Sequence, residues 1–400
     1  MLYWMWMSSA LANGQTTHMW ISHEAVDVLP EGELRSFLQE PAHMAALENG
    51  TMFPDGGYAV GHPYGETAHW EPFQGLLRDW IIETYPDVSH PDAGEVIAFY
   101  LGLASHGMAD QVFDALYMER SKQLDAEYGW ANGQSLDVSS DIVWAWETGP
   151  QAPPEVWYPE VMVALFEEVG IEVDDATLRT GQERLGIAID LVGATGQDEG
   201  GVKEQIAHFP WACSHMSDRT VPGGPYSEAE IIAQYWEALW AELQGEAPGL
   251  EVLASFPAQG GMAHERDVGL VESRLSVVFN RSLLKSDLAD AGFGLVDEFG
   301  GTSELDAWLF YRDDSHVAHF SAMDDFEENT DYQFFLSSGL VATDGRSLQN
   351  DVVIDFSTRP FEDPTQADCS CASTNSRRLP TLGWVALLAG LVCVRRRDLG

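Results

Sequence analysis

The chain is poor in positive charge: lysine and arginine supply only 20 of its 400 residues against 64 aspartates and glutamates, for a formal charge of −44. Such a field repels nucleic-acid phosphates and anionic membrane surfaces at long range, so no stable nucleic-acid partner is expected. A solvated, salt-adapted surface accounts for the acidity, and a bank of carboxylates also suits loosely held calcium. Cysteine is scarce too. Cys213, Cys369, Cys371 and Cys393 imply no disulfide framework; Cys213 stands alone in the body of the chain, and Cys369 and Cys371 form a Cys-x-Cys pair in a polar stretch. Apolar material is not lacking, since 45% hydrophobic composition with 14 Trp, 12 Tyr and 18 Phe is enough for the cores of two or three domains.

The N-terminal segment lacks the charged start of a standard export signal, yet residues 2–12 are apolar and end in Ala10-Leu11-Ala12, a small-x-small pattern that signal peptidase accepts. An N-terminal helix packed on the domain is the alternative. At the other end, residues 379–394 are mostly apolar and lie between Arg377-Arg378 and Arg395-Arg396-Arg397. That length is marginal for a span of about 30 Å. The following arginines favour the cytoplasmic side, which puts everything upstream outside the inner membrane. With Cys369-Ser370-Cys371 ahead of it, the tail resembles the myxobacterial-type C-terminal sorting tail, which implies loss of the apolar segment and attachment of a surface anchor at Cys369 or Cys371. A plain membrane tail is the alternative.

Between these ends the texture changes once. Residues 13–245 carry amphipathic runs of helical length, at 33–47 with an interruption at Pro41, 73–84, 155–168, 175–191 and 228–243, separated by Gly-, Pro- and Asp-rich loops at 54–65, 86–94 and 193–201. From Leu250 the pattern becomes short alternating runs rich in Val, Phe and Leu, at 273–279, 307–311 and 352–356, which predict strands. The expected organisation is a multidomain chain: signal peptide 1–12, mainly α-helical domain 13–245, β-sandwich 250–360, linker 361–378 and transmembrane sorting segment 379–397. The sandwich segment resembles the bacterial immunoglobulin-like domain through Ser255-Phe256-Pro257-Ala258-Gln259-Gly260, Val277-Val278-Phe279-Asn280-Arg281-Ser282-Leu283, Thr330-Asp331-Tyr332 and Asp355-Phe356-Ser357-Thr358, which implies spacing or adhesion.

The chemistry is concentrated in the helical part. Residues 95–127 predict one helix with His106, Asp110 and Asp114 at steps of four, hence on one stripe of a mostly apolar segment. Such groups on a buried face cost several kcal/mol unless something positive satisfies them, and a divalent metal is the simplest solution. A hydrogen-bonded core histidine with aspartates on a solvated edge is the plainer alternative for any isolated pair. Further candidates shift the balance: His18 ahead of an amphipathic helix, Asp55 in the Pro54-Asp55-Gly56 loop, His69 in Ala68-His69-Trp70, and Asp137 and Asp141 four apart. For the last two, a helix N-cap and a first-turn acid weigh equally with ligation. His23, His62, His90, His208 and His215 carry less weight, and the tryptophans read chiefly as core.

In this order the His18 helix start, the Pro54-Asp55 loop, Ala68-His69-Trp70 and His106-x-x-x-Asp110 resemble the bacterial zinc-dependent phospholipases C, the related single-strand-specific nucleases and the glycosylphosphatidylinositol-specific phospholipase D, over about residues 13–245. The resemblance implies a bridged pair of zinc ions with Asp110 as the bridge, Asp55 as ligand and general base, and a third zinc nearby. Two or three cations would neutralise a phosphodiester and bring the pKa of water toward about 7. The chain departs from the family at Asp114, where the phospholipases have a histidine, and at Asp137-x-x-x-Asp141, where they have His-x-x-x-Glu. That all-carboxylate position is a harder site, suited to Ca2+, Mg2+ or Mn2+. The expectation is an exported, surface-anchored metal-dependent phosphodiesterase acting on phospholipid or another phosphodiester. A nuclease on the same scaffold and a catalytically degenerate metal-binding surface adhesin are the alternatives.

Overall fold

The computed structural model describes residues 13–263, 274–311, 314–324 and 326–358. Thirteen helices come first: α1 (Gln15–Val28), α2 (Glu33–Leu38), α3 (Pro41–Val60), α4 (Tyr64–Ala68), α5 (Glu71–Thr84), α6 (Gly94–Val112), α7 (Glu119–Leu124), α8 (Leu136–Thr148), α9 (Met162–Glu168), α10 (Asp175–Gly196), α11 (Glu199–His208), α12 (Pro210–His215) and α13 (Pro225–Leu243). Helix α6 runs through the middle. Almost every residue from Val96 to Val112 is buried, and Ile97, Phe99, Leu101 and Leu103 share a core with Phe53 of α3 and Trp236 and Leu239 of α13.

Two expectations about this region are corrected. Residues 54–65 are not one loop, because α3 runs through Pro54 to Val60 and carries Asp55 on a helix. Proline there removes one i→i−4 hydrogen bond, but packing overrides the local signal. Its glycines serve close approach: a Cβ at Gly50 would lie 2.1 Å from the Phe99 carbonyl oxygen and one at Gly57 2.1 Å from the Gly65 amide. The predicted helix over 95–127 is also interrupted, by a π-helical turn at Phe113–Met118 between α6 and α7. Hydrogen bonding to i+5 widens that turn, and Asp114 is its second residue. Two smaller differences are that only Met162–Glu168 of 155–168 is helical and that α10 extends to Gly196.

The second part is an antiparallel β region with one short helix: β1 (Val252–Phe256), β2 (Gly261–Ala263), β3 (Arg274–Leu284), α14 (Lys285–Asp290), β4 (Phe293–Asp297), β5 (Thr302–Ser303), β6 (Leu305–Leu309), β7 (Asp314–Ala322), β8 (Asp331–Leu336) and β9 (Val352–Thr358). One sheet has the order β1-β3-β7-β6 and the other β2-β9-β8-β4-β5, with β2–β9 the parallel pair among them. Leu275, Val277, Phe279 and Phe320 of the first sheet share a core with Leu295, Phe334 and Ile354 of the second. The β8 strand alternates between exposed and buried, as a sheet with one wet face should, whereas β3 is buried almost throughout. The reason is a second contact: Val278 and Val317 turn away from the sandwich core and join the helical one.

That contact carries buried charge. Arg281 of β3 is completely buried and pairs with Glu242 of α13 and with Asp344, 3.3 Å away. Arg346 reaches the same Glu242, as does Arg78 at 3.3 Å. The described residues thus fall within one compact unit. The expected signal peptide 1–12, linker 361–378 and sorting segment 379–397 lie outside the described residues. Among the described helices none is long and apolar enough to cross a membrane.

Candidate metal centre

Four helical elements bring five side chains to one point. Helix α1 supplies His18, α3 supplies Asp55, His69 caps the C-terminus of α4, and α6 supplies His106 and Asp110. All five are buried. Their donor atoms form two overlapping groups, His18 with His106 and Asp110, and Asp55 with His69 and His106, with the atoms of each group within 4.8 Å of one another.

Asp110 faces both groups. Its Oδ1 is 3.0 Å from His18 Nε2, and its Oδ2 is 3.4 Å from the Nε2 atoms of both His69 and His106. Asp55 Oδ1 lies 3.3 Å from His69 Nε2 and 3.7 Å from His106 Nε2, while its Oδ2 accepts from the Gln15 amide. The imidazoles are held from behind: His106 Nδ1 donates to the Thr51 carbonyl at 2.7 Å and His69 Nδ1 to the Gly65 carbonyl at 2.6 Å. A carbonyl only accepts, so Nδ1 carries the proton and each Nε2 of a neutral ring presents a lone pair. Those two Nε2 atoms are 3.0 Å apart. The His18 ring stacks on His106 with centroids 4.1 Å apart, and His18 Nε2 and Asp110 Oδ1 are buried without a hydrogen bond.

Electron pairs converging without donors require a proton or a cation. With protons alone, burial disfavours charge on His69, but hydrogen bonding to Asp55 and the charges of Asp110 and Asp55 outweigh it and push the ring up to about 9. Burial keeps His106 below its ordinary value, against the pull of Asp110. Asp55 would be raised by burial, yet the charges of and hydrogen bonds from His106 and His69 hold its carboxyl far below the usual range. A mixed set of imidazole Nε2 and carboxylate oxygens, with second-layer carbonyls fixing the tautomers, is chemistry that fits zinc.

Residues 17–113 match the family model described as zinc dependent phospholipase C. All five residues of the centre lie within that match. Phosphatidylinositol-glycan-specific phospholipase D of Mus musculus is 27% identical over 167 residues, covering 39% of this chain and 20% of that protein. The protein of the same name from Rattus norvegicus is 32% identical over 115 residues, covering 27% of this chain and 14% of its own length, and that of Dictyostelium discoideum 24% over 264 residues, covering 61% and 27%. The chain thus spans between 14% and 27% of the length of these curated relatives. These matches show a likeness to zinc-dependent phospholipases that is carried by residues 17–113 in the family model. The N-terminal part of the bacterial S-layer protein SbsC superposes at a TM-score of 0.21 with 12% identity, over 82% of this chain and 79% of that one, too loosely to carry an argument.

The remaining candidates lie outside the two donor groups. Asp141, on α8, takes the start of α1: its carboxylate accepts from the Thr17 amide at 2.7 Å, the Thr17 hydroxyl at 2.9 Å, the Thr16 amide at 3.3 Å and the Thr16 hydroxyl. Asp137 sits in the first turn of α8, whose N-cap is Ser135. Asp114 is buried and accepts from the Tyr311 hydroxyl. Burial raises its carboxyl well above the ordinary value, and the charges of Asp110 and Asp137 add to this against the Tyr311 hydrogen bond. His23 pairs with Glu48 at 2.8 Å, His62 meets the Glu172 carbonyl at 3.1 Å, and His215 stacks on Trp211.

Gln15 and Glu228 were not singled out from the sequence, and Asn13 was considered only for its main-chain amine. Gln15 holds Asp55, Asn13 donates to Glu228 at 2.6 Å, and Glu228 is completely buried. Burial lifts the Glu228 carboxyl well above its usual range, and the charges of Asp110 and Asp114 lift it further. Asn13 and Gln15 stand just ahead of His18, and a polar run opening a helix that carries a ligand is a usable signal. Glu228 comes from a helix read only as amphipathic, so nothing local marks it.

Proposed function

We propose that this chain is a zinc-dependent phosphodiesterase that hydrolyses phospholipid in the manner of a phospholipase C. The observation that carries it is the convergence of three imidazoles and two carboxylates, with Asp110 presenting one oxygen to His18 and the other to His69 and His106. The donors form two overlapping groups, His18 with His106 and Asp110 and Asp55 with His69 and His106; His106 has one free nitrogen and would serve a single cation, so a pair of cations would divide the set, with Asp110 offering an oxygen toward each side. Bound zinc supplies Lewis-acid charge for the phosphate and makes water a usable nucleophile near neutral pH.

The chain's own residues set the rest. Thr51 and Gly65 lock two rings with Nε2 inward, and Gln15 holds the outer oxygen of Asp55. Asp55, with one oxygen toward His69 and the other held by Gln15, is placed to act as ligand and to orient the attacking water or take its proton. We extend the proposal to export, to an immunoglobulin-like character for the β region and to surface anchoring through the tail.

The rival is a metal-binding adhesin without turnover. It is favoured by one observation: Asp141 is committed to the amides of α1, so a third cation position built on Asp137 and Asp141 loses a ligand. The deciding experiment measures metal content of the full chain by mass spectrometry beside hydrolysis of phospholipid and single-stranded nucleic acid. Zinc at two per chain, phospholipid cleavage, and a fall of about 10²-fold or more in Asp55→Asn are expected. Zinc without turnover on either substrate would favour the adhesin, cleavage of nucleic acid alone the nuclease, and absence of zinc would overturn the reading.

A further inference from the structure

The β region touches the helical part beside the donors of the metal centre. Gln111 follows Asp110 directly, and its Oε1 accepts from the Ser315 hydroxyl at 3.0 Å and the His316 amide at 2.9 Å, while its Nε2 donates back to the Gly107 carbonyl at 3.2 Å. Asp114, one turn on, takes the Tyr311 hydroxyl. On the other side, Trp70 follows His69 directly and its ring meets Tyr311 edge to face at 5.2 Å. Glu71 comes next; its Oε2 accepts from the Ser282 amide at 2.8 Å and lies 3.7 Å from His316 Nε2.

These contacts grip the centre from two directions. One set fixes the end of α6 that carries His106 and Asp110, where the π turn begins; the other fixes the corner between α4 and α5 that carries His69. His69 Nε2 and Asp110 Oδ2 must stay within reach of a common point, and they are 3.4 Å apart. Tyr311 links the two, since its hydroxyl holds Asp114 and its ring abuts Trp70. A spacer or adhesive module has no need of such placement, and Gln111, buried in a run of apolar residues, has its polar end used by the sheet.

We propose that the β region is a positioning element of the metal centre: Tyr311, Ser315 and the His316 amide, acting through Asp114, Trp70 and Gln111, hold His69 and Asp110 in register for cation binding. The inference rests on the proposal that the centre binds zinc. The helical part and the β region are then one functional unit, although the residues of the family-model match end at 113.

The test is zinc affinity of the full chain, by competition with a chromophoric chelator, in Tyr311→Phe, Gln111→Met and Asp355→Asn. Asp355 is exposed on β9 and bonds to Gln333 and Gln259, away from this interface. Partners of metal ligands typically change affinity by about 10–100-fold. Tyr311→Phe keeps the ring and removes one hydroxyl, and it is expected to weaken zinc about tenfold with the metal-free melting midpoint little changed; Gln111→Met, which leaves the buried Ser315 hydroxyl and His316 amide without their acceptor, is expected to weaken zinc similarly and to lower the midpoint as well, with Asp355→Asn at wild-type affinity. A merely structural interface would lower the midpoint and leave affinity of the folded protein alone, and that result overturns the proposal. Should Gln111→Met fail to fold, Tyr311→Phe decides by itself. A wild type without zinc overturns the functional proposal and this one together, whereas wild-type affinity in both variants overturns this one alone.

Discussion

His69 Nε2 and His106 Nε2 face each other at 3.0 Å while a backbone carbonyl holds the Nδ1 of each ring. In neutral form the pair is two acceptors without a donor, and a cation relieves both at once. If the centre binds zinc as proposed, folding and metal binding are linked. Free zinc at 100 times its dissociation constant should raise stability by about 2.7 kcal/mol. Calorimetry of chelator-treated protein with and without added zinc checks this, and His106→Ala should abolish the shift. Coincident melting curves with and without zinc in the wild type would refute the linkage.

Asp141 is placed for a stability test that leaves the donors untouched. Asp141→Ala strips the cap from the Thr16 and Thr17 amides and hydroxyls in a buried setting. The loss should be about 2 kcal/mol, at the upper end for a helix cap. Urea unfolding would show it as a lower midpoint at unchanged slope. A wild-type midpoint would mean that water or another side chain replaces the cap at no cost.

His319 gives a pH dependence separate from the centre. It is buried on β7 with Nδ1 2.8 Å from the Ser276 hydroxyl; burial pushes its ring well below the ordinary value, and the charge of Arg274 adds to this. The unfolded ring titrates near about 6.5 and the folded ring lower, so between those values the unfolded chain binds more protons and stability rises with pH. The contribution is fully present above about pH 6.5 and is lost as pH falls toward the folded value. Denaturation at a series of pH values from 7.5 to 5.5 should show His319→Asn with a shallower loss than the wild type. Parallel curves would show that the ring stays neutral in both states or charges in both.

How much of this was legible in the sequence differs by residue. His106 and Asp110 share a face because both lie within uninterrupted α-helix, where a step of four is reliable. Asp114 lies in the π turn that starts at Phe113, and nothing in Phe113-Asp114-Ala115-Leu116 announces that turn. Pro54-Asp55-Gly56-Gly57 has the composition of a turn but lies in α3, since its glycines answer to α4 and α6. The strand segments around Val277 and Val352 were readable from their alternation and β-branched residues. The placement of Tyr311 on Asp114, 197 residues away, was not, because a hydrogen bond over that separation has no local trace.

Helix α1 receives its cap from Asp141, 125 positions beyond Thr16. A nascent chain whose first 113 residues have left the ribosome already contains every donor of the centre, yet the amides ahead of His18 still await a partner that has not been made. The cap on the helix that carries His18 is complete only when α8 has been made, so a chain cut at residue 113 would hold all five side chains of the centre and lack the partner of the Thr16 and Thr17 amides.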